Sequence, residues 1–364
     1  METAEGFGDI RRKVDKMLSE FSTIDPSSPF SIGDVLWGDI YSTDSPLNNV
    51  RGLSDEELLF IREHTGLFTQ GIDDGSDQEK QFLVAQYNQL TQDIPGEYHC
   101  REPVPNKSYE RFGFYHKNNL INRDIVRYQR TVTNLYSTGL LKFDDKPDIE
   151  RKYFCEIGGG YGALAHQIIR IIGGNVTYII IDLPGSLFLS SIYLRIVNPD
   201  KSIYLFDRDD FDRGNIDKIM EEHDFVLLPH YILDEIEKFP SIDVAINLLS
   251  FPEMKESQLR YYFEFLSENL NGWLYSENMR INPWHNKNET KENFFEILSE
   301  TFEVIPNFDV SLEYGNTGRD HDVTDRRNVP QLYVELATPK RKPSVLYPVI
   351  PKLLCDGYEI GLKS

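Results

Sequence analysis

One string narrows the fold more than any other feature of the chain: Phe154-Cys155-Glu156-Ile157-Gly158-Gly159-Gly160-Tyr161-Gly162-Ala163-Leu164-Ala165. An apolar, β-prone run enters it and a helical pattern leaves it. Glycines at a strand-to-helix turn let the backbone pass close to a ligand. The free N–H groups of the helix start favour a negative or polar group. Downstream, the apolar runs Tyr153–Ile157, Val176–Asp182, Ser202–Phe206, Phe225–Leu228, Val244–Leu249, Gly272–Ser276 and Gln331–Ala337 read as strands. Helices are predicted at Ala163–Ile172, Ser186–Val197 and from Phe251 to Leu270. Strand–helix alternation of this kind implies βαβ units and a mainly parallel, doubly wound α/β sheet.

The region before the sheet differs. Residues 1–150 show helical patterns separated by polar loops, at Asp55–Thr65, Gln78–Gln92 (Phe82, Ala85 and Leu90 apolar) and Arg123–Leu140, with a turn-rich loop at Asp93–Pro105. In the last helix Ile125, Tyr128, Val132, Leu135 and Tyr136 follow three- and four-residue steps. Asn122 suits its N-cap and Asp124 its first turn. That helix reads either as a packing element or as a lid over a ligand site in the next domain. The expected division is a mainly helical N-terminal region (1–150), a Rossmann-like domain (151–339) and a C-terminal extension (340–364) containing Lys340-Arg341-Lys342. No internal repeat is visible.

Two ligands compete for the glycine turn. Gly158, Gly160 and Ala163 fit the dinucleotide pattern G-x-G-x-x-A. Glu156, Gly158, Gly160 and Gly162 fit E-x-G-x-G-x-G, an S-adenosylmethionine pattern. The acid decides for the second, because a carboxylate there repels a pyrophosphate but suits the ammonium of a methionine moiety. Asp182, 26 residues after Glu156, ends the second strand and can accept both ribose hydroxyls. Ribose is common to both ligands, so Asp182 does not separate them. The adenine wall is expected after the third core strand, at Phe206-Asp207 or at Leu228-Pro229-His230-Tyr231, and the second, with His230, is preferred.

The net charge of −21 disfavours a phosphate backbone or an anionic membrane as the main partner. Cys100, Cys155 and Cys355 are odd in number and widely spaced, so no disulfide framework or paired metal motif arises from them. This fits a reducing cytoplasm, which is the expected location. The start, METAEGFGDIRRKVD, carries no apolar core of a signal peptide. The most apolar region, Ile168–Leu183, is broken by Arg170, a glycine pair and Asn175, so no membrane span is expected.

Chemistry is expected at the carboxyl end of the fourth core strand, where Asn247, Ser250 and Glu253 lie. Ser250-Phe251-Pro252-Glu253 also matches a capping box, whereas Asn247 inside an apolar strand needs partners for a buried amide. An alcohol is a poor nucleophile at neutral pH, so transfer to it needs a base or a metal. His321, between Asp320 and Asp322, is the preferred base, with His285 beside Trp284 a weaker candidate. Asp207, Asp209, Asp210 and Asp212 have the oxygen chemistry for a divalent cation, but such a string reads more simply as a solvated, helix-capping loop.

The runs EIGGGYGALA, YIIIDLPGSLFLSSIYL and INLLSFPEM, preceded by INRDIVRYQR, resemble the sugar O-methyltransferase family typified by the nanchangmycin sugar methyltransferase. The resemblance covers Leu120 to Leu270, with a weaker echo at GRDH and QLYVEL. It implies a class I fold in which Glu156, Gly158, Gly160 and Gly162 hold S-adenosylmethionine and Asp182 its ribose. Asn247 and Glu253 match the family string. The implied activity is methyl transfer to a sugar hydroxyl, of a surface polysaccharide precursor or a glycosylated metabolite. The alternatives are an NAD(P)-dependent oxidoreductase using the same turn and a non-catalytic Rossmann-like binding module.

Overall fold

The computed structural model describes residues 7–31, 46–65, 76–141, 151–211, 216–279, 294–308 and 332–340. Strands β1 (Phe114–His116) and β2 (Asn119–Ile121) form a small antiparallel hairpin. Eight further strands form one sheet: β3 (Lys152–Ile157), β4 (Val176–Asp182), β5 (Ile203–Leu205), β6 (Phe225–Pro229), β7 (Ile242–Leu248), β8 (Leu270–Met279), β9 (Phe302–Phe308) and β10 (Leu332–Pro339). Their order is β5-β6-β4-β3-β7-β8-β10-β9. Neighbours from β5 to β8 are parallel, and β10 runs antiparallel to both β8 and β9. This is the doubly wound α/β sheet anticipated from the alternating pattern.

The chain leaves β3 towards β4 on one side and later returns to β7 on the other. The carboxyl ends of β3, β4 and β7 therefore surround a topological switch point, where such sheets bind ligands. β4 is buried along its whole length, as a central parallel strand covered on both faces must be. The short β5 lies outside β6 as an extra parallel edge, so β6 takes the place beside β4.

Helix Ala163–Ile172 starts from Gly162 and stops at Gly173, both left-handed. Helix Pro184–Val197 has its proline in the first turn, where the missing N–H is not needed. Helix Arg123–Ser137 starts as expected, with Asn122 accepting from the Ile125 N–H at 2.9 Å. It packs against helices Asp77–Thr91 and Ala163–Ile172.

Several local expectations change. Helix Asp77–Thr91 buries Leu83, Tyr87 and Thr91, while Phe82 is 53% exposed. The Asp55–Thr65 pattern splits into helix Asp55–Leu58 and a 3₁₀ turn, Ile61–His64. The long helix expected from Phe251 is a 3₁₀ turn, Phe251–Glu253, followed by helix Glu256–Asn269. Among the elements that escaped the patterns above are helix Phe7–Phe21, hairpin β1–β2, helix Ile216–Glu222, helix Phe294–Thr301 and strand β9. Among the described residues no helix is long and apolar enough to cross a membrane.

Candidate functional site

The glycine turn has the backbone that its composition demands. Gly158, Gly160 and Gly162 have φ of +76°, +57° and +85°. The Gly158 N–H donates to the Ile181 carbonyl at 2.9 Å, tying the turn to β4. A Cβ on Gly158 would lie 2.7 Å from the Ser250 Cβ, so the loop after β7 leans directly on the turn. Gly158, Gly159 and Gly160 remain half-exposed, as do Leu248, Leu249 and Ser250 opposite.

Two carboxyl groups flank this turn from the same face of the sheet. Glu156 pairs in register with Ile180 on β4, two residues before Asp182, and side chains two apart on a strand share a face. The Asp182 carboxylate accepts from the Gly160 N–H (2.8 Å) and the Leu183 N–H (2.7 Å). An ionised carboxylate has about four acceptor sites, which leaves capacity for the two hydroxyls of a ribose. Burial pushes its pKa up to about 6, against the pull of these N–H donors. Glu156 is 2% exposed and its Oε2 accepts from the Tyr178 hydroxyl at 2.9 Å. Its Oε1 receives no hydrogen bond from the described residues. Burial raises its pKa to about 8, and Asp182 adds to the rise while Tyr178 and Arg127 oppose it.

His230 follows β6, whose Pro229 stands in register with Asp182. Its Nε2 lies 2.8 Å from the Phe30 carbonyl, so Nε2 carries the proton and Nδ1 is the acceptor. Nδ1 is buried and makes no hydrogen bond. Burial drives the imidazole pKa down to about 4, against the pull of the Phe30 carbonyl, so the ring is neutral. Phe21 and Phe30 pack edge-on against it at 5.2 and 6.0 Å.

Asn247 is fully buried and its partners are all internal. Its Nδ2 donates to the Ile157 carbonyl at 2.8 Å and to Ser250 Oγ at 2.5 Å. Its Oδ1 accepts from the Phe251 N–H and from Asn278 Nδ2. The amide thus stitches the ends of β3, β7 and β8 together beneath the turn. Ser250 makes no side-chain cap; its hydroxyl turns instead to the Ile157 carbonyl at 3.2 Å. Leu249 between them is left-handed, with φ +61°, an unusual state for a bulky residue. Glu253 is half-exposed on the 3₁₀ turn that follows. His321, His285 and Asp212 lie outside the described residues. Of the rest of the acidic string, Asp207 and Asp209 are engaged by the N-terminal helix: Arg12 lies 3.1 Å from Asp207 and Lys16 lies 3.0 Å from Asp209. Among the described residues no cluster of His, Cys, Asp and Glu could hold a metal ion.

The N-terminal region brings residues to this turn that local patterns did not single out. Tyr161, inside the glycine motif, is buried with the Arg62 guanidinium 5.2 Å from its ring centre. Arg62 is itself sealed, held by Glu102 at 2.7 and 3.3 Å, by Thr65 at 2.8 Å and, at 3.6 Å, by Asp124. Asn122 Nδ2 donates to the same Glu102 at 2.8 Å. Farther along the same helix, Arg130 and Thr131 bind the buried Glu277 of β8, which also accepts from the Tyr275 hydroxyl at 2.8 Å. Helix Arg123–Ser137 is therefore tied to β8 through Arg130 and Thr131, and to the Arg62–Glu102 cluster beside the glycine turn through Asp124 and its N-cap Asn122.

These residues fit S-adenosylmethionine. They offer a carboxyl with an unused oxygen, a second carboxylate beside a left-handed glycine turn, and an unpartnered buried nitrogen acceptor one strand away.

No protein-family model matches the chain, and no curated protein matches it. Solved structures do align with it. A Thermoplasma acidophilum protein, numbered 1320, is 15% identical with a TM-score of 0.36, covering 59% of this chain and 89% of its own. The precorrin-6y C5,15-methyltransferase of Geobacter metallireducens is 11% identical with a TM-score of 0.32, covering 62% and 94%. Fibrillarin of Aeropyrum pernix, solved with natively bound S-adenosyl-L-methionine, is 12% identical with a TM-score of 0.32, covering 56% and 74%. The fold described above rests on the strand order of the molecule itself.

Proposed function

We propose that this chain is an S-adenosylmethionine-dependent methyltransferase, and that its acceptor is a sugar hydroxyl. The observation that carries the cofactor is the placement of Glu156 and Asp182 on one sheet face, on either side of three left-handed glycines. A dinucleotide pyrophosphate at that turn would sit between two carboxyl groups, which disfavours it. The sugar acceptor is supported by the sequence resemblance, in which Asn247, Ser250, Glu253 and Met254 match the family string.

When bound, S-adenosylmethionine supplies a methyl group on a positive sulfur, open to in-line displacement. Glu156 takes the ammonium through its unused oxygen. Asp182 takes the ribose hydroxyls, and His230 Nδ1 accepts from the adenine amino group. Asn247 holds the loop after β7 against the turn, fixing the wall on which the acceptor docks. Glu253 lies on that wall, and His321 removes the proton of the acceptor hydroxyl. General-base help of this kind is typically worth about 10²–10⁴-fold in rate.

Three measurements test the reading. Calorimetry with S-adenosylhomocysteine and with NAD should give binding of the first only; binding of NAD alone would end the methyltransferase proposal. Labelled methyl donor offered to a panel of nucleotide sugars and glycans, with and without EDTA, should mark one acceptor. Asp182→Ala should weaken S-adenosylhomocysteine binding by about 1–3 kcal/mol, the cost of stranding its hydrogen-bond partners. A purely structural module would keep its function in that variant.

A further inference from the structure

The amino-acid end of the ligand raises a charge problem. Its α-carboxylate would arrive beside Glu156 and Asp182, and like charges at close range are costly. A guanidinium would offset it more fully than the N–H groups of the turn alone. Three arginines belong to the buried networks that the N-terminal region builds beside the turn and β8, and they differ in access. The side chains of Arg62 and Arg130 are 0% and 3% exposed, the first gripped by Glu102 and the second by Glu277. Arg127 keeps 13% exposure. Its Nη2 lies 3.2 Å from Asp124 Oδ1 and 3.4 Å from the Tyr128 hydroxyl, and its guanidinium stands 5.2 Å from the Tyr128 ring centre. Asp124 already serves Arg62, whose guanidinium packs on Tyr161 of the glycine turn. The Arg127 charge also reaches Glu156, where it opposes the rise in the carboxyl pKa.

We infer that Arg127 and Glu156 form a clamp for a free α-amino acid, with the ligand's carboxylate on Arg127 and its ammonium on Glu156. The inference rests on the S-adenosylmethionine reading and deepens it. The helix that covers the site becomes the element that reads the methionine end, while β4 and the segment after β6 read the nucleoside. A guanidinium suits this task because it binds a carboxylate through two parallel N–H donors. Asp124 orients it from one side, and the Tyr128 ring limits its movement on the other.

The test separates the two ends of the ligand. Calorimetry would compare S-adenosylmethionine, decarboxylated S-adenosylmethionine and 5′-methylthioadenosine on the wild-type chain and on Arg127→Gln and Arg127→Lys. The wild type should prefer S-adenosylmethionine over its decarboxylated form by about 10- to 100-fold, the range of a charge-assisted hydrogen bond. In Arg127→Gln that preference should collapse towards one, with 5′-methylthioadenosine binding retained as proof of an intact nucleoside site. Arg127→Lys should recover part of the preference. A wild type indifferent to the carboxylate, or an Arg127→Gln variant that keeps the preference or weakens all three ligands alike, overturns the clamp and leaves the cofactor site standing. A wild type that binds none of the three sinks the methyltransferase reading, and the clamp with it.

Discussion

Gly158 is constrained twice, by a left-handed φ of +76° and by Ser250 packed against the position a Cβ would take. These demands are separable. Gly158→Ala should lower thermal stability and S-adenosylhomocysteine affinity together, and adding Ser250→Gly should restore part of the loss by removing the clash while leaving the backbone strain. No recovery in the double variant would show that strain alone governs the position. Glu156 makes a prediction of another kind. Its carboxyl, raised to about 8, holds a proton in the folded chain that the unfolded chain, near 4.5, has already lost. Its contribution is therefore complete at low pH and is lost as pH rises through that window. Thermal melts of the ligand-free protein should fall from about pH 5 to 8, and Glu156→Gln should flatten the upper part of that fall. A smaller slope should remain at lower pH from Asp182, whose pKa is raised in the same sense to about 6. An unchanged melting profile in Glu156→Gln would show that its carboxyl ionises freely in the folded chain. The same substitution should weaken cofactor binding, because the ammonium loses its counter-charge; stability and function pull against each other at this side chain.

At the scale of elements, the sealed Arg62–Glu102 pair decides whether helix Arg123–Ser137 and the glycine turn stay in register. Removing one partner strands a buried charge, which costs about 3–5 kcal/mol, whereas replacing both by apolar residues of similar volume is often near neutral. Arg62→Met and Glu102→Leu should each cost several kcal/mol in urea unfolding, with the double variant less destabilised than either single one. Additive losses would mean that the two charges do not depend on each other. This network also marks where sequence reading stops. Strands β3 to β8 and β10, the glycine turn and the Asn122 cap were legible because each depends on neighbours within a few residues. The ion pair joins positions 40 apart in the chain, and no local period announces it. Arg127 looked like an ordinary polar position on an amphipathic helix, and only the packing of that helix over the turn gives it a ligand to face. The break near Met254 was hidden for a similar reason. Ser250 and Glu253 spell a capping box, but the serine hydroxyl is drawn away to the Ile157 carbonyl by the end of β3.

For the whole molecule, the question is what holds the N-terminal helix and the segment after it against His230 and Tyr231. Helix Phe7–Phe21 carries a clear three- and four-step stripe of Phe7, Ile10, Val14 and Met17, all at most 3% exposed, and packs against helix Pro184–Val197. Its outer face adds ion pairs from Arg12 and Lys16 to Asp207 and Asp209. Magnitudes separate the two contributions. The Lys16–Asp209 pair is exposed and the Arg12 side chain stands half in solvent against the buried Asp207; pairs with such exposed cations are screened by salt and worth about 0–1 kcal/mol each, while truncating a buried Met to Ala costs about 2–5 kcal/mol. The apolar stripe should therefore hold the helix and the charges only tune it. Met17→Ala should lower the urea midpoint markedly and make the segment before Phe30 sensitive to protease, at low and high salt alike. Arg12→Gln with Lys16→Gln should shift the midpoint little, and less still in high salt. The opposite ranking would mean that the acidic segment after β5 clamps the N-terminus electrostatically, and raised ionic strength would then expose His230 by releasing the segment whose Phe30 carbonyl binds its Nε2.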